Sequence, residues 1–197
     1  MAFLPVFMRM GNCLVVGGGI VAARKVGDIV SSGGRAKVVA PAVCDEIRNR
    51  EKNGEVAIEQ RAFETHDIDG FDIVFAATDD KRVDERVASL CREKRVLVNV
   101  ASNPELCDFF VPSCVRRGEL TVAIGTSGAS PASSAKIRQF IESILPHSLA
   151  EKISGIGLLR RKILSCGKNP SDSEEYRREV ESILDVCFQK TKSPDGE

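Results

Sequence analysis

The chain has 197 residues, of which 43% are hydrophobic and 28% charged, with 28 basic side chains balancing 28 acidic ones. That is enough apolar material for one α/β domain and a smaller companion, and zero net charge gives no electrostatic case for nucleic acid as a partner. No run of about 18 apolar residues occurs, so no membrane span is expected.

Apolar runs and amphipathic stretches alternate over the first hundred residues. Cys13–Val16 reads as a strand ending in Gly17-Gly18-Gly19, and Ile20–Ser32 as a helix with Val26, Ile29 and Val30 at helical spacing, closed by Gly33-Gly34. A second strand is expected over Ala36–Ala40, stopped by Pro41, then a polar helix over Asp45–Lys52 and a third strand over Val56–Glu59. Ile73–Ala77 is almost wholly apolar, as suits a strand buried on both faces. Arg82–Glu93 reads as a helix, with Asp79 and Asp80 before it either facing the ligand crevice or serving as its N-cap, Asp80 the better cap, and Val96–Val100 as a fifth strand. This alternation predicts a parallel sheet with right-handed crossovers. The pattern then changes. Phe109–Val115 and Leu120–Ile124 flank Arg116-Arg117-Gly118-Glu119, a hairpin signature. Ser130 and Pro131 open a helix that stops before Pro146, and two more helices are expected at about 149–165 and 172–188, with a frayed tail over 193–197.

Gly17-Gly18-Gly19-Ile20-Val21-Ala22 fits GxGxxA, a dinucleotide fingerprint in the required strand-to-helix setting. Gly17 allows the tight turn, Gly19 lets the backbone approach a pyrophosphate, and Ala22 keeps the helix close to the strand. The second strand ends in Ala40-Pro41-Ala42-Val43, with neither the carboxylate that holds a ribose 2′-OH nor an Arg for a 2′-phosphate, so NAD and NADP both stay open. Ala76 and Ala77, with Thr78 after them, would let a cofactor lie against the backbone. Arg24 and Lys25 on the first helix are either phosphate or substrate contacts or surface charges. Seven dispersed cysteines form no CxxC pair, the two histidines are far apart, and MAFLPVFMRM has no signal-peptide pattern. These features point to reduced thiols in the cytoplasm and no zinc shell, and leave any metal site unknown.

Several motifs occur in order: LPVF, GGGIVAARK, VVAP, FAATDD, NVASNPELCDFFVPS and TVAIGTSGASPASSAKIR. Together they resemble the precorrin-2 dehydrogenase and sirohydrochlorin ferrochelatase family, the N-terminal half of siroheme synthases, over roughly residues 1–150 and more loosely beyond. The resemblance implies a Rossmann-type NAD-binding domain over 1–113, a small α+β dimerisation segment over 114–148 and a helical C-terminal domain over 149–197. It implies a homodimer that oxidises precorrin-2 to sirohydrochlorin with NAD, in some members also inserting ferrous iron. Cofactor contacts are expected at Gly17, Gly19, Ile20, Val21, Ala40, Pro41, Ala42, Val43, Ala77 and Thr78.

One departure touches the chemistry. The family often carries an Asp where this chain has Ser102, and a serine cannot accept a proton as a carboxylate does at neutral pH. Asp108 either takes over that role or braces its loop. Thr126 stands where relatives place a hydroxyl near substrate, or else caps the following helix start. The substrate is rich in carboxylates, so Arg116, Arg117, Lys136 and Arg138 are candidate ligands. Two other readings remain: an NAD(H)-sensing regulatory module, and a tetrapyrrole-binding protein without turnover.

Overall fold

The structure is a computed structural model in which residues 6, 8 and 11–188 are described. The LPVF motif, apart from Val6, and the 193–197 tail lie outside the described residues. Two compact units meet in sequence at Phe110 and Val111.

The N-terminal unit is built on β1 (Asn12–Val16), β2 (Arg35–Val39), β3 (Val56–Glu59), β4 (Ile73–Ala76) and β5 (Leu97–Val100). They form one parallel sheet in the order β3-β2-β1-β4-β5. This is the Rossmann order, in which the direction of strand addition reverses between β1 and β4. Helices α1 (Ile20–Ser31), α2 (Asp45–Lys52) and α3 (Lys81–Lys94) make the crossovers. Successive residues of a strand point to opposite faces. Cys13, Val15, Val38 and Phe75 therefore join one core with Ala22, Val26 and Ile29 of α1. Leu14, Val16, Val39, Val74 and Ala76 join a second core with Val87, Ala88 and Cys91 of α3. Burial on both faces explains why these strands read as apolar runs rather than alternating ones. It also pushes the Cys13 thiol up to about 11 and the Cys91 thiol up to about 12, as expected of thiols that act as core filler.

Helix ends follow their local chemistry. Gly33, at φ +76°, turns the chain out of α1, and the Asp80 carboxylate caps α3 by accepting from the Arg82 N–H at 2.8 Å. α3 runs one residue further than expected and closes on Arg95 in the left-handed region (φ 59°).

The C-terminal unit contains an antiparallel hairpin of β6 (Ser113–Arg117) and β7 (Leu120–Ile124), followed by α4 (Pro131–Ile144), α5 (Leu149–Ser165), α6 (Glu174–Glu181) and α7 (Ile183–Phe188). Three sequence expectations are corrected. The first hairpin strand starts at Ser113 rather than Phe109. Residues 108 and 109 instead bond to β5, the Asp108 N–H donating to the Val98 carbonyl and the Asn99 side chain to the Phe109 carbonyl. The turn is only Gly118-Glu119, with Gly118 at φ +58°, so Arg117 lies in the strand opposite Leu120. The last helix, expected to be continuous over 172–188, breaks at Ser182, whose hydroxyl donates to the Glu179 carbonyl at 2.8 Å. Hairpin and helices fall within the same compact unit, in which Arg117 donates to the Leu145 carbonyl and Leu149 is buried.

Candidate functional site

The glycine turn follows β1 at the strand-order reversal, and its three glycines meet different demands. Gly17 has φ +124°, and a Cβ there would sit 2.2 Å from the Ala77 carbonyl oxygen. A Cβ on Gly18 would sit 1.9 Å from the Ala42 carbonyl oxygen. Both residues let the turn close against main chain that follows β4 and β2. Gly19 differs: at φ −83°, its Cβ would meet nothing within 4 Å. It is the N-cap of α1, no side chain caps the helix, and the first turn holds no acidic residue. Ile20 and Val21 are exposed, whereas Ala22 is buried against the sheet. The result is a helix N-terminus with no side-chain cap and an empty Cβ direction at Gly19, an arrangement that attracts phosphate. Gly17 makes the tight turn and Ala22 packs the helix against the sheet, while the Cβ direction of Gly19 is empty. The demand at Gly18 is one that GxGxxA leaves unspecified.

The segment after β2 divides. Ala40 and Val43 are buried, the Ala40 N–H donating to the Glu59 carbonyl at 3.2 Å, so these two side chains support the site from beneath. Pro41 and Ala42 are exposed. Ala77 and Thr78 are half-buried, and the Ala77 N–H donates to the Val16 carbonyl at 2.8 Å, which sets the end of β4 beside the glycine turn. Lys25 is half-buried with its ammonium 5.6 Å from the Phe75 ring centre; desolvation lowers its pKa, with Asp28 opposing. Arg24 is exposed.

Ser102 follows β5 and is exposed. Its hydroxyl donates to Asp84 Oδ2 at 2.7 Å. Asp84, on α3, is 1% exposed, and its Oδ1 accepts from Thr78 Oγ1 at 2.8 Å and from the Thr78 N–H at 3.3 Å. The carboxylate thus ties the ends of β4 and β5 together. Asp108 is engaged differently. Its carboxylate accepts from the Val98 N–H at 2.9 Å while its own N–H returns to the Val98 carbonyl at 2.8 Å. The two bonds cover part of the outer edge of β5.

In the C-terminal unit, Thr126 Oγ1 accepts from the Ser130 N–H at 3.1 Å and also lies within bonding distance of the Ser130 carbonyl and Ser134 Oγ. It fastens a turn in which Ser127 and Gly128 have positive φ. Ser130 caps α4, accepting from the Ser133 N–H. Arg117 is buried, with Nε donating to the Leu145 carbonyl at 3.1 Å and Nη2 to that of Glu142 at 2.9 Å. Arg138 pairs with Glu142 one helical turn on. Arg116 and Lys136 are exposed. Among the described residues, no group of three or more His, Cys, Asp and Glu side chains is placed to hold a metal ion, and no helix is long and apolar enough to cross a membrane.

Residues 5–113 match the family model described as "Putative NAD(P)-binding". The chain belongs to this NAD(P)-binding family. It is 38% identical over 187 residues to the siroheme synthase of Thioalkalivibrio sulfidiphilus, a match covering 94% of this chain and 38% of that protein. It is 39% identical over 150 residues to the siroheme synthase of Nitrosococcus oceani, covering 75% and 32% respectively. The chain therefore spans less than half the length of these relatives. Among solved structures it resembles SirC, a precorrin-2 dehydrogenase, with a TM-score of 0.70 at 25% identity, covering 98% of this chain and all of that one.

The family's dinucleotide fits the residues present. The backbone of Gly17 to Val21 would hold the diphosphate, because within the turn the glycine whose Cβ direction is empty is the one at the helix start. What the sequence reading missed is Asp84. In VDERV it looks like an ordinary acidic residue in the first turn of a helix, favourable there for the helix dipole alone.

Proposed function

We propose that this chain oxidises precorrin-2 to sirohydrochlorin with NAD. The observation that carries the reading is the open anion cradle at Gly19, at the strand-order reversal of a chain that covers the whole of SirC. Bound NAD would supply a nicotinamide that takes up a hydride. The chain's own contribution is orientation: the 17–21 backbone anchors the diphosphate, and Pro41 and Ala42 flank it on the β2 side. Ser102 presents a hydroxyl two strand spacings from β1, about 10 Å along the sheet. Exposed Arg116 and Lys136 are assigned to substrate carboxylates. Neither a carboxylate nor an Arg stands at 40–43 to select by the 2′ position, so the preference for NAD rests on the likeness to SirC.

A homodimer belongs to the same reading. Ile137, Phe140 and Ile144 lie at i, i+3 and i+7 on α4 and are 46%, 62% and 37% exposed, an apolar stripe suited to a second copy. The cytoplasm is assigned on the dispersed cysteines, which form no CxxC pair.

The test is an anaerobic reaction of purified protein with precorrin-2 and NAD. NADH and sirohydrochlorin should form in equal amounts, more slowly with NADP. Dinucleotide binding without either product refutes the reading.

A further inference from the structure

We propose that Asp84 is the proton store for the oxidation and reaches the substrate through the Ser102 hydroxyl. This inference rests on the dehydrogenase reading above. Asp84 is a carboxylate with 1% of its surface exposed, and among the described residues no cation pairs with it. Burying a charge with only neutral donors around it is costly, and a fold that needed only to tie β4 to β5 has uncharged residues for the purpose. The donors are placed unequally. Oδ1 is held by the Thr78 hydroxyl and N–H, which fixes the carboxylate plane. Oδ2 takes one bond, from Ser102 Oγ at 2.7 Å.

Ser102 is the exposed end of this pair. Its single proton goes to Asp84, and among the described residues nothing donates to it, so both lone pairs of Oγ remain available on the solvent side. It stands directly after β5, where the Ala101 N–H donates to the Ala76 carbonyl at 2.9 Å, at the carboxyl edge of the sheet where ligands bind.

Atoms and electrons balance as follows. The substrate loses one hydrogen with its bonding pair to the nicotinamide and one as a proton, whose electron pair stays in the macrocycle. That proton passes to Ser102 Oγ as the serine proton passes to Asp84 Oδ2, leaving the hydroxyl neutral and the carboxyl protonated until it exchanges with water. Asp84 acts through Ser102 and is a positioning residue; Ser102 is the catalytic one.

Four variants test this with NAD affinity, melting temperature and kcat as readouts. D84N and S102A should each lower kcat by about a hundredfold or more, with NAD affinity unchanged. The double variant D84N/S102A should be no slower than either single one, as for groups working as one unit. D84N/S102D, which moves the carboxylate to the exposed end and leaves an amide to hold it, should recover most of the lost kcat. A purely structural Asp84 predicts lower melting temperature in D84N and no recovery in D84N/S102D; that result overturns the proposal. Wild-type turnover with kcat unaffected in S102A overturns it while leaving the dehydrogenase reading intact. Absence of wild-type turnover removes both.

Discussion

Replacing Gly19 by Asp separates cofactor binding from folding in a way the neighbouring glycines do not allow. At Gly19 a Cβ points into open space and φ is −83°, so a side chain there costs the fold nothing in backbone strain or collision. The new carboxylate would occupy the space in front of the α1 N-terminus. A charge about 4 Å from a phosphate, at the effective dielectric of about 20 found near protein surfaces, costs about 4 kcal/mol. That corresponds to roughly a thousandfold weaker dinucleotide binding. Gly18→Ala should behave in the opposite way, because its Cβ would lie 1.9 Å from the Ala42 carbonyl oxygen and main chain must move. Gly17→Ala adds a left-handed φ of +124° to a 2.2 Å collision, and about 1–3 kcal/mol of strain follows from the backbone alone. The assay pairs calorimetric NADH titration with thermal melting. Gly19→Asp should melt with the wild type and fail to bind; Gly17→Ala and Gly18→Ala should melt early. A Gly19→Asp protein that binds NADH normally, or one that unfolds, would refute the assignment of the cradle.

Asp108→Ala removes the acceptor for the Val98 N–H and should cost about 1–2 kcal/mol, read as an earlier melt. Asp108→Asn, which keeps an acceptor oxygen, should turn over nearly as the wild type; a large kcat loss there would make Asp108 a proton carrier after all. Arg117→Met strands the carbonyls of Leu145 and Glu142 and should destabilise the C-terminal unit by about 2–3 kcal/mol, whereas Lys136→Ala should leave the melt unchanged and raise the substrate KM. Burial would raise the pKa of Asp67, but the Arg61 guanidinium and the Glu64 N–H outweigh it and hold the carboxyl below its ordinary value of 3.8. Its folded form is thus favoured as the anion, so the stabilisation is complete above pH 3.8 and is lost as pH falls through the depressed value. The gap in melting temperature between wild type and Asp67→Asn should hold at neutral pH and close in acid.

The inner strands were legible because β1 and β4 are covered on both faces and read as short apolar blocks. α2, β3, β7 and α5 fall on their expected bounds because turn residues stand beside their ends, among them Asn53, Gly54, Gly118, Gly125, Pro146 and Gly167. The hairpin was less legible. Phe109 is apolar like a strand residue, but it packs edge-on against Phe75, 5.6 Å between ring centres, and its carbonyl bonds a side chain of β5. Apolar character records burial, not the partner that provides it. The break at Ser182 was hidden for the converse reason: helical spacing continues through it, and only the hydroxyl's bond to a carbonyl three residues back marks the interruption.

The same logic sorts the candidate site. Arg117 was singled out for substrate carboxylates, Asp108 for proton transfer and Thr126 from the family resemblance, yet each lies beside main-chain groups that need partners. Three of the Arg117 nitrogens donate to main-chain carbonyls. Asp108 serves an edge-strand N–H, and Thr126 both faces of a turn. An unpaired buried N–H or carbonyl costs about 1–3 kcal/mol, so a polar side chain near a strand end or a tight turn is claimed first by the backbone. What distinguishes a group available for chemistry is therefore bonding capacity left over once the local main chain is satisfied. Ser102 keeps two lone pairs and spends its one proton on a buried carboxylate rather than on the backbone. That distinction depends on Asp84, eighteen residues earlier and on another element, which is why residue type at position 102 alone pointed away from proton chemistry and the three-dimensional arrangement points back to it.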